Sequence, residues 1–64
     1  MPVIQITMIE GRTQDQKSAM YREVTDAVQR TLGSPPESVR IIVNEVPRTH
    51  FAVAGIAKSE SSKT

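Results

Sequence analysis

A proline at position 2 and two arginines, Arg12 and Arg40, are the residues whose types and places in the chain offer chemistry. The usual catalytic sets are missing: there is no cysteine nucleophile, no cluster of metal ligands, no glycine-rich phosphate loop, and only one histidine, His50. Any acid or base here is therefore an unusual one. Removal of Met1 ahead of the small residue Pro2 would expose a secondary amine. An α-amino group ordinarily titrates at about 7.7 to 8.0, and desolvation or a nearby cation pushes such an amine toward its neutral form. Neutral, it is a competent general base. The plainer reading is that Pro2 merely opens a strand, where a missing amide hydrogen does no harm. With Met1 retained, Pro2 is an ordinary amide and no base at all.

Arg12 closes the turn-like run Glu10-Gly11-Arg12, and Arg40 interrupts an apolar stretch of Val39, Ile41 and Ile42. A guanidinium presents a planar fork that suits a carboxylate bidentately. Against that stand two ordinary explanations: Arg40 snorkels to water along its aliphatic stem, and Arg12 is a solvated turn residue.

The elements that must position these three residues are legible in the hydrophobic pattern. From Val3 to Ile9 residues alternate, with Ile4, Ile6 and Met8 on one face and Val3, Gln5, Thr7 and Ile9 on the other, the period of a strand. Thr13-Gln14-Asp15-Gln16 reads as a capping box that starts a helix. Apolar residues at Met20, Val24, Ala27, Val28 and Leu32 keep helical spacing. Gly33 and Ser34-Pro35-Pro36 end that helix at about Leu32. Val39 to Glu45 is a second β-branched run, with Val39, Ile41 and Val43 facing one way and Arg40, Ile42 and Asn44 the other. Strand, helix and strand make an α+β, β-α-β protomer whose right-handed crossover sets the strands parallel. The helix covers one sheet face and leaves the other bare. Pro47 to His50 reads as a loop, Phe51 to Gly55 as a short hairpin-forming segment, and residues from about 57 to 64 as a polar tail, all within a single domain over 1–64.

Size and charge narrow the function classes. A chain of 64 residues buries only about 60% of its unfolded surface and is marginal alone. Without cysteines for disulfides or ligands for a structural metal, association with further copies is the support that remains. Eight basic residues against seven acidic ones give a net charge of +1, and the basic residues are scattered, so no nucleic-acid tract emerges. A DNA-binding dimer of the strand-then-helix kind would also want a second helix where Val39 to Glu45 has strand character. The longest apolar runs are too short to cross a membrane and no charged-then-apolar leader opens the chain, so a soluble, cytoplasmic protein is expected.

Together, Pro2 after Met1, Glu10-Gly11-Arg12 at the end of the first strand, the capped helix, Ser38-Val39-Arg40 and the pair His50-Phe51 resemble the 4-oxalocrotonate tautomerase family over about residues 2 to 55. The resemblance implies a tautomerase-type fold assembled as a homohexamer, a trimer of dimers whose sites draw residues from neighbouring chains. It implies an isomerase of aromatic catabolism that needs no cofactor and no metal. Pro2 would be the catalytic base that moves a proton along a dienol such as 2-hydroxymuconate to give the unsaturated 2-oxo acid. Arg40 matches the arginine at the 2-oxo and adjacent carboxylate end, where negative charge develops. Arg12 matches the arginine that holds the far carboxylate and pulls electron density along the diene. Ile9 and Phe51 match apolar wall positions whose low-dielectric surroundings keep the amine neutral.

The chain departs from the family pattern after the aromatic residue, where Ala52 and Ala54 stand in place of expected glycines and cost about 1 kcal/mol each if positive φ is required. Its tail carries Lys63 without terminal arginines. Other readings remain: a hydratase or dehalogenase of the same fold using Glu10 or Glu45 to position water, a biosynthetic tautomerase acting on another unsaturated acid, or a non-catalytic oligomer that binds acids through Arg12 and Arg40.

Overall fold

The computed structural model describes residues 1–60. Strand β1 runs Val3–Ile9, helix α1 Gln14–Leu32, strand β2 Arg40–Val46, and two short strands, β3 at Ala52–Val53 and β4 at Ile56–Ala57, close the chain. Single 3-10 turns occupy Pro36–Ser38, Arg48–His50 and Lys58–Glu60. β1 and β2 pair in parallel over seven rungs, from Val3 with Arg40 to Ile9 with Val46. β3 and β4 form a separate antiparallel hairpin.

The helix begins as its sequence dictates. Thr13 Oγ1 accepts the Gln16 N–H at 3.1 Å and Gln16 Oε1 accepts the Thr13 N–H at 2.9 Å, so two donors that would otherwise lack partners are satisfied reciprocally. It ends at Gly33, whose φ of 73° lets its N–H reach the Gln29 carbonyl at 3.0 Å. Lys17 Nζ, on the first turns, bonds Glu45 Oε1 at 2.9 Å and ties the helix to β2.

Ile4, Ile6 and Met8 of β1, with Ile41 and Val43 of β2, face the helix and are half-buried, as are Met20, Val24, Ala27 and Val28 opposite them. Leu32 departs from the expected apolar stripe and is 66% exposed. The reason is length: nineteen helical residues at about 1.5 Å each outrun seven strand residues at about 3.3 Å each, so the last turn overhangs the sheet. The second strand starts one residue later than its composition indicates, because the Val39 N–H closes the Pro36 turn instead of joining the ladder. At the start of the expected polar tail, Ala57 pairs with Ala52 and Lys58–Glu60 make a turn. The rest of that tail lies outside the described residues.

None of the described residues is fully buried. The opposite sheet face presents Val3 at 49% and Ile42 at 50% exposure, beside Gln5, Thr7 and Asn44. The Cα radius of gyration is 14.8 Å, against about 10 to 11 Å for a globule of this length. A parallel sheet is normally covered on both faces, and two strands alone are marginal in water. The protomer is therefore one layer short of a core. Among the described residues, no helix is long and apolar enough to cross a membrane.

Candidate active site

Pro2 joins the sheet through its carbonyl, which accepts the Arg40 backbone N–H at 3.0 Å. Met1 lies outside the pairing and is 81% exposed. A proline nitrogen has no hydrogen to contribute to a ladder. Loss of Met1 would thus free the nitrogen without removing a strand hydrogen bond.

Arg40 is a backbone neighbour of Pro2 but its side chain takes the other side of the sheet. It is exposed on the bare face with Val3, whereas alternation puts Pro2 with Ile4 on the helix-covered side. Arg40 Nη1 donates to the Glu37 carbonyl, folding the side chain back over the Pro36–Ser38 turn. Ser38 fixes that turn, its N–H and its hydroxyl both donating to the Pro35 carbonyl at 3.0 and 2.9 Å.

Arg12 stands at the opposite end of the sheet. From Pro2 to Ile9 is seven steps of about 3.3 Å, or about 23 Å. No small diacid spans that length, so one protomer does not gather Pro2, Arg40 and Arg12 around a single point.

At the Arg12 end, three segments meet around a cleft of about 550 Å³ lined by Ile9, Glu10, Gly11, Arg12, Arg48 and Lys58. The Glu10 N–H carries the ladder one residue beyond β1 by donating to the Val46 carbonyl at 2.9 Å. Gly11 then turns the chain with φ 131°, and a Cβ there would meet nothing within 4 Å, so glycine is needed for conformation and not for space. Phe51 is held on both sides: its N–H donates to the Arg48 carbonyl at 3.3 Å and its carbonyl accepts the Lys58 N–H at 2.7 Å. The structure thus brings Ile9 and Arg12 into one cleft and hangs Phe51, 37% exposed, between two other lining residues.

Arg48 and Lys58 are the residues that sequence reasoning missed. Read along the chain, the cations look scattered; in the fold, three of them share one cleft with a single carboxylate, Glu10. Only the reversal at Ala54-Gly55, which returns Lys58 to Phe51, creates that proximity. Of the expected glycine positions, Ala54 does adopt positive φ, at 54°, whereas Ala52 is ordinary strand. Glu45, one of the two carboxylates available to place a water, is engaged by Lys17. Thr7 and His50 are exposed.

Comparison with known proteins is consistent across sequence and structure. The family model described as "Tautomerase enzyme" matches residues 2–60. A probable tautomerase of Ralstonia nicotianae is 51% identical over 63 residues, covering 98% of this chain and 90% of the relative. The 2-hydroxymuconate tautomerase of Pseudomonas putida is 40% identical over 63 residues, covering 98% of this chain and all of the relative. Among solved structures, the heterohexameric 4-oxalocrotonate tautomerase of Chloroflexus aurantiacus superposes with a TM-score of 0.89 at 40% identity, over 94% of this chain and 97% of that one. Sequence match, β-α-β architecture and structural neighbours agree, and this chain belongs to the tautomerase enzyme family, within its 4-oxalocrotonate tautomerase group.

Proposed function

We propose that the Met1-free chain is a cytoplasmic tautomerase of 2-hydroxymuconate or a closely similar dienol diacid, with Pro2 as general base in a hexamer-borne site. The observation that carries this reading is the way Pro2 is held, anchored by its carbonyl to the Arg40 N–H at 3.0 Å with the exposed Met1 beyond it. A base fixed by one end of its residue keeps its nitrogen available. Relatives named 2-hydroxymuconate tautomerase support the substrate class.

In the reaction, the neutral amine takes the proton of the 2-hydroxyl as that O–H bond breaks, and the π electrons move along the diene. The prolinium then gives its proton to the carbon beside the far carboxylate, so that a C–H bond replaces the O–H bond and a 2-oxo C=O, conjugated with the one remaining carbon–carbon double bond, replaces the other. Nothing is oxidised or reduced. Negative charge develops at the oxygen end, where an Arg40 fork supplies electrostatic stabilisation. Arg12 takes the far carboxylate and favours electron flow toward the carbon being protonated. Ile9 and Phe51 provide the apolar wall.

The 23 Å or so between the two ends of the sheet supports an assembled site, because the far-end arginine that serves one Pro2 must come from another chain. The bare face with Val3 and Ile42, and the exposed hairpin residues Val53 and Ile56, supply the apolar surface for such assembly. The heterohexameric neighbour is a precedent for six chains.

The test is ultraviolet absorbance of 2-hydroxymuconate with Met1-free protein beside Pro2→Ala, both checked for oligomeric size. Decay of the dienol that falls by about 10²- to 10⁴-fold in Pro2→Ala is expected for loss of a general base. Because the base must be unprotonated, kcat/KM should rise with pH and level off once the amine is neutral. Full activity in Pro2→Ala, or in a chain that keeps Met1, overturns the reading.

A further inference from the structure

The cleft at the Arg12 end holds more positive charge than one carboxylate contact requires. Arg12, Arg48 and Lys58 line it with Glu10 as the only carboxylate, a net of +2. None of the three cations is in an ion pair among the described residues, where the pairs are Lys17 with Glu45 and Arg30 with Asp26. Like charges gathered in excess of their counter-charge repel one another, and a cleft with a net positive lining concentrates its field on an incoming anion. The cations also hang from an ordered frame, since Phe51 is bonded to both the Arg48 carbonyl and the Lys58 N–H.

We propose that Arg48 and Lys58 are specificity-determining residues that join Arg12 in a three-cation seat, selecting acids whose end remote from the 2-oxo group is negatively charged. This deepens the tautomerase reading by naming what fixes substrate charge. Arg12 and Arg48 present planar forks that match a carboxylate, and Lys58 adds a compact charge behind them. Glu10 balances one cation, so the seat remains net positive after it has neutralised a single far-end carboxylate. A substrate ending in a neutral group gains nothing from any of the three.

The experiment compares two substrates in one set of proteins. 2-Hydroxymuconate carries a far carboxylate; 2-hydroxypenta-2,4-dienoate lacks it. Arg48→Gln and Lys58→Gln should each raise KM for the diacid about fivefold, the amount expected for loss of one partly exposed charge contact. The double variant should raise it about 25-fold, with kcat retained. KM for the monoacid should not move in any of them. Arg30→Gln, which removes the same charge from the exposed helix surface, is the control and should leave both substrates unchanged. Because exposed charges are screened, the diacid preference should shrink with added salt.

A second measurement is independent of turnover: titration of the Gly11 and Lys58 amide resonances with unreactive cis,cis-muconate. Saturable shifts that weaken in Arg48→Gln and Lys58→Gln but not in Arg30→Gln support the seat even if no isomerisation is found. Equal effects on diacid and monoacid, or effects matched by Arg30→Gln, overturn it while leaving Pro2 chemistry standing. If the protein turns over neither acid, the tautomerase reading fails and the titration alone decides the seat.

Discussion

The two ends of the parallel sheet are built by different means. At the Pro2 end, one backbone hydrogen bond and the seven-rung register with β2 fix the geometry, so position follows directly from strand pairing. At the Arg12 end, a glycine turn, two 3-10 turns and a hairpin converge, and position depends on segments between 10 and 60 returning to one another. On the proposed reading, the first end carries the nitrogen for proton transfer and the second, with three cations around one cleft, the charge for recognition. The difference is one of range: strand register alone places Pro2, whereas the cation cleft needs distant segments to return to one another, and a strand length of about 23 Å separates the two.

The strongest way to break that comparison is to prevent assembly. Ile42→Asp places a charge on the bare face, where Ile42 is half exposed in the single chain. If the proposed site is shared between chains, sedimentation should show the oligomer lost and dienol turnover abolished; turnover by separated protomers would refute the shared-site account. The helical circular dichroism should fall as well, since no described residue is fully buried without partners.

Next in size is the division of labour between the arginines. Arg40→Ala should lower kcat by about 10²- to 10³-fold, as removal of a charge-stabilising donor does. Arg12→Ala should chiefly raise KM for the diacid, by about tenfold, as loss of a contact made equally in ground and transition states does. Steady-state kinetics on both variants would sharpen the distinction; the same kcat loss in each would erase it.

A smaller effect separates the ends by stability. Ala54 holds φ 54° at the tip of the hairpin, a conformation unfavourable for an L side chain. Ala54→Gly should stabilise the hairpin by about 1 kcal/mol. Slower hydrogen exchange at the Lys58 amide, with the Arg40 amide unchanged, would confine the gain to the cation end. Smallest is the ion pair that joins helix to sheet. Lys17→Met should cost at most about 1 kcal/mol, read from urea unfolding.

How much of this was visible in the sequence differs from segment to segment. The alternation of Ile4, Ile6 and Met8, the Thr13-Gln16 box and Gly33 act locally, so they predict β1 and both ends of α1 closely. Val39 has strand composition, which puts the start of β2 a residue early, yet its N–H is taken by the Pro36 carbonyl. Leu32 kept helical spacing but has no sheet beneath it. At the candidate site, Pro2, Arg12 and Arg40 stood out by type and neighbours, while Arg48 and Lys58 did not, because isolated cations on a chain are commonplace.

The sequence by itself determined the elements, their order and the alternation that makes one sheet face bare, because these follow from local periodicity and capping. It also singled out the proline that loss of Met1 would turn into an amine. Only the tertiary structure decided that Arg40 turns its side chain away from its backbone neighbour Pro2, that Arg12 lies a full strand length from Pro2, and that three distant cations share one cleft. Those facts depend on register and on the return of the hairpin, which are long-range outcomes that no local pattern encodes.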